Sequence, residues 1–367
     1  MRLILNQGRA ILVCLIGLYI GLLGISLALA PPSHALRGLN TAAAQDTIFM
    51  TEPKYIYLNR APLRDESDKV VVVGASNVIV GFVPSELVAL IPASASVHNL
   101  GLGGANMTEV RQVIDLVQEV QTPAARRREI FVLGIWYGMF GEDRLRWYTP
   151  DRTPGDTDID IERYRYGFER RTAHGPVLVV PRRNLDAAAT AIYPFLYLDK
   201  LGRDTVAWVI HQHAPESGDL NTAVVTSEKQ TQYLDYWSRI MGAGPPISDE
   251  QFVVLERACE AILAEGSRLA LVDLPLPQWH KEHSPYYGYY EHRKTGLVNR
   301  FIRRPGFAFL DLGELDGDAN FYDEVHPKPR VTAAWAERLA PVLSPLLSSS
   351  TVAGSTPPAA SLESRIR

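Results

Sequence analysis

The apolar positions of this chain fall into three regimes. Residues 10–30 form an uninterrupted uncharged run that follows Arg2 and Arg9. As a helix it would span about 30 Å, the thickness of a hydrocarbon core. Further on come short apolar runs without alternation: Lys69–Ser76, Val97–Gly101, Glu129–Trp136, Arg268–Pro275 and Phe307–Leu312. Runs of this length that are apolar on both faces predict buried parallel strands. Between them, positions repeat with helical period over 84–91, 108–120, 249–265, 290–303 and 331–347. Strands alternating with helices predict an α/β fold, a doubly wound and mostly parallel sheet with right-handed crossovers. Ligands of such sheets bind beyond the carboxyl ends of the strands, so loops at that edge are where chemistry is expected.

The same pattern divides the chain. Residues 1–9 read as a short stub and 10–30 as a transmembrane anchor or signal sequence. Residues 31–65, with Pro, Ala and Ser and no sustained period, read as a linker. The domain runs over 66–347, and the Ser/Ala/Pro stretch 348–367 reads as a disordered tail. Within the domain the rhythm breaks at about 137–247. That span is read as a mainly helical insertion, with apolar helical patterns near 186–210 and 227–241. Arg2 and Arg9 before the apolar run, against a nearly uncharged flank up to Arg37, favour a cytoplasmic N-terminus. Small-x-small patterns at Ala28-Leu29-Ala30 and Ser33-His34-Ala35 keep cleavage open. Either reading places the domain outside the cytoplasm, in the periplasm or on the cell surface.

Composition changes this picture little. The 367 residues are 46% hydrophobic and 21% charged, ordinary for a globular domain. A net charge of -4 offers no basic stripe for a phosphate backbone, so nucleic acid is not expected as a partner. Cys14 lies in the apolar run and Cys259 in a helical pattern, so the two are read as inert. His211 and His213 lack clustered acids, Arg126-Arg127-Arg128 reads as a solvated turn, and no metal or organic cofactor is expected.

Three blocks carry candidate chemistry. The first apolar strand runs straight into Ala75-Ser76-Asn77, which places the Ser76 hydroxyl at the carboxyl edge of the sheet beside free backbone amides. Near the end of the domain, Asp323 stands three residues before His326. A carboxylate there can accept the imidazole Nδ1–H and leave Nε2 to take a serine proton, while Pro327 keeps His326 out of the helical region. The block Asn99-Leu100-Gly101-Leu102-Gly103-Gly104 follows another strand, where glycines let backbone amides approach a developing oxyanion.

In kind and order these blocks resemble the SGNH or GDSL hydrolase superfamily over roughly residues 69–347, the insertion excepted. The resemblance implies a flavodoxin-like sandwich, catalysis by Ser76, Asp323 and His326, and oxyanion amides on Ser76 and Gly104. Two departures stand out. The usual Gly-Asp-Ser is Gly74-Ala75-Ser76, and the usual Gly-x-Asn-Asp is Gly134-Ile135-Trp136-Tyr137, without the oxyanion Asn. Asn77, Tyr137 or Trp136 are candidate replacements. The departures make the chain more similar to the membrane-anchored branch that includes the D-alanyl transfer protein and exopolysaccharide O-acetyltransferases. That likeness implies an acyl donor delivered by a membrane partner and a saccharide or glycan acceptor. Trp136, Trp279, His280 and Tyr287 are the candidate substrate-binding residues, since aromatic faces with polar rims suit sugar rings. Acyl transfer, ester hydrolysis, and a degraded scaffold of a polysaccharide export or modification complex all remain open at this point.

Overall fold

The computed structural model describes residues 2–29, 38–40, 60–142, 169–172, 175–178, 219–242 and 249–353, with the single positions 209 and 247. Its centre is a six-stranded sheet of Gly38–Asn40 (β1), Lys69–Val73 (β2), Ser96–Asn99 (β3), Glu129–Ile135 (β4), Arg268–Asp273 (β7) and Phe307–Asp311 (β8). The order is β1-β3-β2-β4-β7-β8 and every pairing is parallel. Val70–Val73, Ile130–Leu133 and Leu269–Val272 are completely buried, as expected for strands covered on both faces.

From β2 the chain moves outward through Pro84–Leu90 (α3) to β3. It then returns across β2 through Met107–Val120 (α4) to β4. Right-handed crossovers in opposite directions put these two helices on opposite faces of the sheet. Each has a partner: α3 packs on Thr332–Ala353 (α9), and α4 on Asp249–Ala264 (α6). A full capping box starts α4, with Asn106 and Glu109 satisfying each other's backbone amides. The chain therefore reverses direction at β2 and β4, which opens a crevice beyond their carboxyl ends.

The strands end earlier than their apolar runs suggest. Between β2 and the helical pattern that begins at residue 84, Ser76–Gly81 forms a short helix (α2). Residues 38–40, within the expected linker, pair along β3. The last helix continues past 347 to Ala353, although it contains Pro341 and Pro345. The described part of the insertion holds an antiparallel hairpin, Glu169–Thr172 (β5) with Gly175–Leu178 (β6), and the expected helix Ser227–Met241 (α5). The pattern near 186–210 lies almost wholly outside the described residues, and His211 and His213 lie wholly outside them. Two further helices, Gln278–His283 (α7) and Tyr287–Phe301 (α8), follow β7. At the N-terminus, Arg2–Leu29 (α1) contains the segment Ile4–Ile25, which is long and apolar enough to cross a membrane and is not buried in the domain.

Candidate active site

Two glycines at the carboxyl edge place Ser76. Gly74, immediately after β2, has φ +151°, a conformation that side chains disfavour. A Cβ on it would stand 2.4 Å from Val78 Cγ2 and 2.6 Å from the Gly134 carbonyl. Gly134, in β4, likewise leaves room for Val78, whose Cγ2 a Cβ there would meet at 2.4 Å. The missing side chains let α2 sit directly on the strand ends and bring Ser76 into the crevice as its first residue. Asn99 holds the other end. Its buried amide donates to the carbonyls of Val78 (3.0 Å) and Phe82 (2.8 Å), and its oxygen accepts from the Gly101 amide (3.0 Å). The carbonyls a short helix leaves open are thereby closed against the loop after β3. As first-turn residues of α2, Ser76 and Asn77 have amides with no intrahelical acceptor.

The partner of Ser76 comes from the opposite end of the chain. Phe321 and Pro327 form a bridge, Tyr322 N–H donates to the His326 carbonyl (3.1 Å), and the residues between them make a tight turn. Inside it, Asp323 Oδ1 accepts from the amides of Val325 (3.0 Å) and His326 (2.7 Å). Asp323 Oδ2 lies 2.7 Å from His326 Nδ1. A carboxylate only accepts, so Nδ1 carries the hydrogen and Nε2 presents its lone pair. Nε2 is 2.8 Å from Ser76 Oγ. The Tyr322 ring stacks on the imidazole, with centroids 5.6 Å apart. Ser76, Asp323 and His326 are all only partly exposed.

Around this trio the structure assigns the aromatic candidates differently from the sequence reading. Tyr137 is fully buried, and its hydroxyl lies 2.5 Å from His280 Nε2. His280 Nδ1 is 2.7 Å from the Glu324 carbonyl, an acceptor, so Nδ1 is the protonated nitrogen. Burial lowers the His280 pKa to about 4 and keeps the ring neutral. Nε2 is then an acceptor, and the Tyr137 hydroxyl spends its hydrogen there. That phenol is not free to donate to an oxyanion, which corrects the expectation for Tyr137. Burial also pushes the Tyr137 pKa far up.

Trp136, Trp279 and His280 are 3%, 6% and 0% exposed. Trp136 packs edge-on against Trp237 at 4.6 Å, and Trp279 stacks on His280 at 5.0 Å. These rings cover one another and present no face to a sugar, which corrects the expectation for them as substrate-binding residues. Tyr287 is half-buried beside the Lys281 ammonium. Asn77 is fully buried, its Oδ1 accepting from the Val78 amide and its Nδ2 sealed from solvent without a partner among the described residues, which corrects the expectation for it as an oxyanion donor. Gly104 is exposed at φ +67° in the turn after β3.

Several residues of this site escaped the sequence reading. Glu324 is largely buried, and burial followed by the neighbouring Asp323 charge raises its pKa to about 7. Trp237 on α5 lies near that carboxyl group, and its buried indole N–H makes no hydrogen bond among the described residues. Burial raises the Tyr233 pKa, with the Glu324 and Asp323 charges adding to it, and so places Tyr233 beside the same turn. Tyr322 and Glu324 adjoin Asp323 in sequence, whereas nothing local marks a helix more than 80 residues back as the wall of the turn.

Among the described residues, no group of three or more His, Cys, Asp or Glu side chains is placed to hold a metal ion. No protein-family model matches the chain, and no curated protein matches it significantly.

Proposed function

We propose that this protein is a serine acyl-transfer enzyme tethered to a membrane by α1, with its domain on the extracytoplasmic side, acting on a cell-envelope or exported saccharide. The observation that carries the reading is the continuous chain Asp323 Oδ2, His326 Nδ1, His326 Nε2, Ser76 Oγ, with steps of 2.7 and 2.8 Å at the reversal point of the sheet. In the reaction, Ser76 Oγ attacks an acyl carbonyl as its proton passes to His326 Nε2. The amides of Ser76 and Gly104 are the proposed donors to the tetrahedral oxyanion. His326 then protonates the leaving oxygen, the acyl group rests on Ser76, and an acceptor hydroxyl or water repeats the sequence in reverse. The order of the three blocks, similar to that of the SGNH superfamily, supports the same assignment.

A second reading has one observation in its favour. The position where the superfamily carries an oxyanion Asn holds Trp136, a ring packed against Trp237, and the next residue, Tyr137, commits its hydrogen to His280. A scaffold without turnover fits that substitution. One comparison separates the two: hydrolysis of small acetyl esters, and acyl transfer to an oligosaccharide, by wild type, Ser76→Ala, His326→Ala and the double variant. The enzyme reading expects each single variant to abolish turnover and the double variant to be no worse, because the groups act as a unit. Full activity in a folded Ser76→Ala protein overturns it.

A further inference from the structure

We infer that His280 is a positioning residue for the acyl-serine chemistry, holding the Asp323–His326 turn at the distance Ser76 requires; the inference rests on the function proposed above. The turn is closed mainly on itself. Tyr322 N–H bonds to the His326 carbonyl, Lys328 N–H to the Asn320 carbonyl, and both Asp323 oxygens bond within the turn. These bonds fix the shape of the turn and leave its place relative to α2 open.

The short helix α7 supplies that place. Gln278 N–H donates to the Asp316 carbonyl (3.0 Å), Trp279 N–H to Asp318 Oδ1 (3.2 Å), and the Lys281 ammonium pairs with Asp316. At the tip of the turn, His280 Nδ1–H donates to the Glu324 carbonyl at 2.7 Å, between the orienting acid and the base. The far nitrogen of His280 meets Tyr137, which stands just after β4 on the strand beside β2. A line of bonds thus runs from the sheet edge at Tyr137 through His280 to the backbone between Asp323 and His326.

The identity of the side chain matters. The Glu324 carbonyl can only accept and so selects the tautomer in which Nδ1 carries a hydrogen, and the Tyr137 hydroxyl holds the ring in that state by donating to Nε2. The other tautomer would set the Nδ1 lone pair against the Glu324 carbonyl and push the turn away. A displacement of about 1 Å in such a site can cost 10²-fold in rate while leaving substrate binding intact.

The test is a set of substitutions at His280 read by kcat and KM on a small ester, with thermal unfolding as control. Asparagine places its amide nitrogen where Nδ1 stood and keeps the donor to Glu324. Glutamine places its amide near Nε2 and loses that donor. His280→Asn should hold kcat within about tenfold of wild type, whereas His280→Gln and His280→Phe should lose about 10²-fold in kcat with KM unchanged. A merely structural histidine predicts equal losses in Asn and Gln that follow the loss of melting temperature. Equal kcat in Asn and Gln, or wild-type kcat in Gln, overturns the inference. If the His280 variants do not fold, Tyr137→Phe decides, since it keeps the ring and removes only the hydroxyl that anchors His280 Nε2 to the sheet edge. A lower kcat at constant KM supports the inference, and wild-type kcat overturns it. Wild-type turnover that survives Ser76→Ala would instead show that the underlying functional reading is at fault.

Discussion

Asp323 uses both oxygens at once, one to shape the turn through two backbone amides and one to fix the His326 tautomer. An amide in its place separates these duties. In Asp323→Asn the remaining oxygen can still accept the backbone amides, but the NH₂ faces Nδ1 and forces the hydrogen onto Nε2, which can then no longer take the serine proton. We expect kcat to fall on the order of 10⁴-fold with little change in melting temperature, measured on a chromogenic ester; retention of more than a tenth of wild-type kcat would show that the orientation of His326 does not matter. The three residues of this chain were legible because each sits at a position its chemistry demands: a serine at a strand end, and an acid and a base three apart before a proline. Tyr137 and His280 were not legible as a pair, because the fate of the phenol hydrogen depends on the tautomer of a residue 143 positions away. The same holds for Trp136 and Trp279, since sequence shows that rings are present but not which rings cover which.

The strands and main helices could be read from the chain because branched apolar runs and helical periodicity are local signals. Helix α2 was missed because it is one and a half turns long, and because its cause, the space left by Gly74 and Gly134 for Val78, is a three-dimensional fact. Gly74→Ala tests that cause. The added methyl would enter both Val78 and the Gly134 carbonyl at a φ side chains avoid, so we expect a stability loss of about 1–3 kcal/mol and a displaced Ser76. Activity should therefore fall further than unfolding at the assay temperature explains. A variant as stable and active as wild type would mean that α2 tolerates a different seat. On the far side of the site, Lys294 neutralises the buried Asp273 carboxylate, which also accepts from the Tyr290 hydroxyl at 2.5 Å. Both ionic side chains are almost fully buried. Removing one charge strands the other, so Lys294→Met should cost about 3–5 kcal/mol in a denaturant melt, and a neutral result would show Asp273 to be protonated in the native state.

Across the whole molecule, the reversal of the chain between β2 and β4 brings residues 76 and 326 together, and neither neighbours the other in sequence or in any local element. Buried titratable groups make the assembled fold sensitive to pH. Burial lowers the pKa of His98, which pairs with the Ser96 hydroxyl, to about 4. Between that value and about 6.5 the unfolded chain binds a proton that the native state refuses, so this contribution is complete above pH 6.5 and is lost as pH falls toward 4. The stability of wild type relative to His98→Gln should therefore decline over that interval by up to about 3 kcal/mol; a constant difference would mean that His98 titrates normally. The orientation of α1 is open to a protease added to intact cells, which should cleave beyond residue 40 and spare Arg2 and Arg9; protection of the region after residue 40 would contradict an extracytoplasmic domain. The central claim, that Ser76 is a nucleophile activated by His326, is tested most directly by a fluorophosphonate and mass spectrometry of the labelled peptides. The account predicts one adduct, on Ser76, formed by wild type and lost in His326→Ala. Labelling elsewhere, no labelling of the folded wild type, or equal labelling of the His326→Ala protein would contradict it.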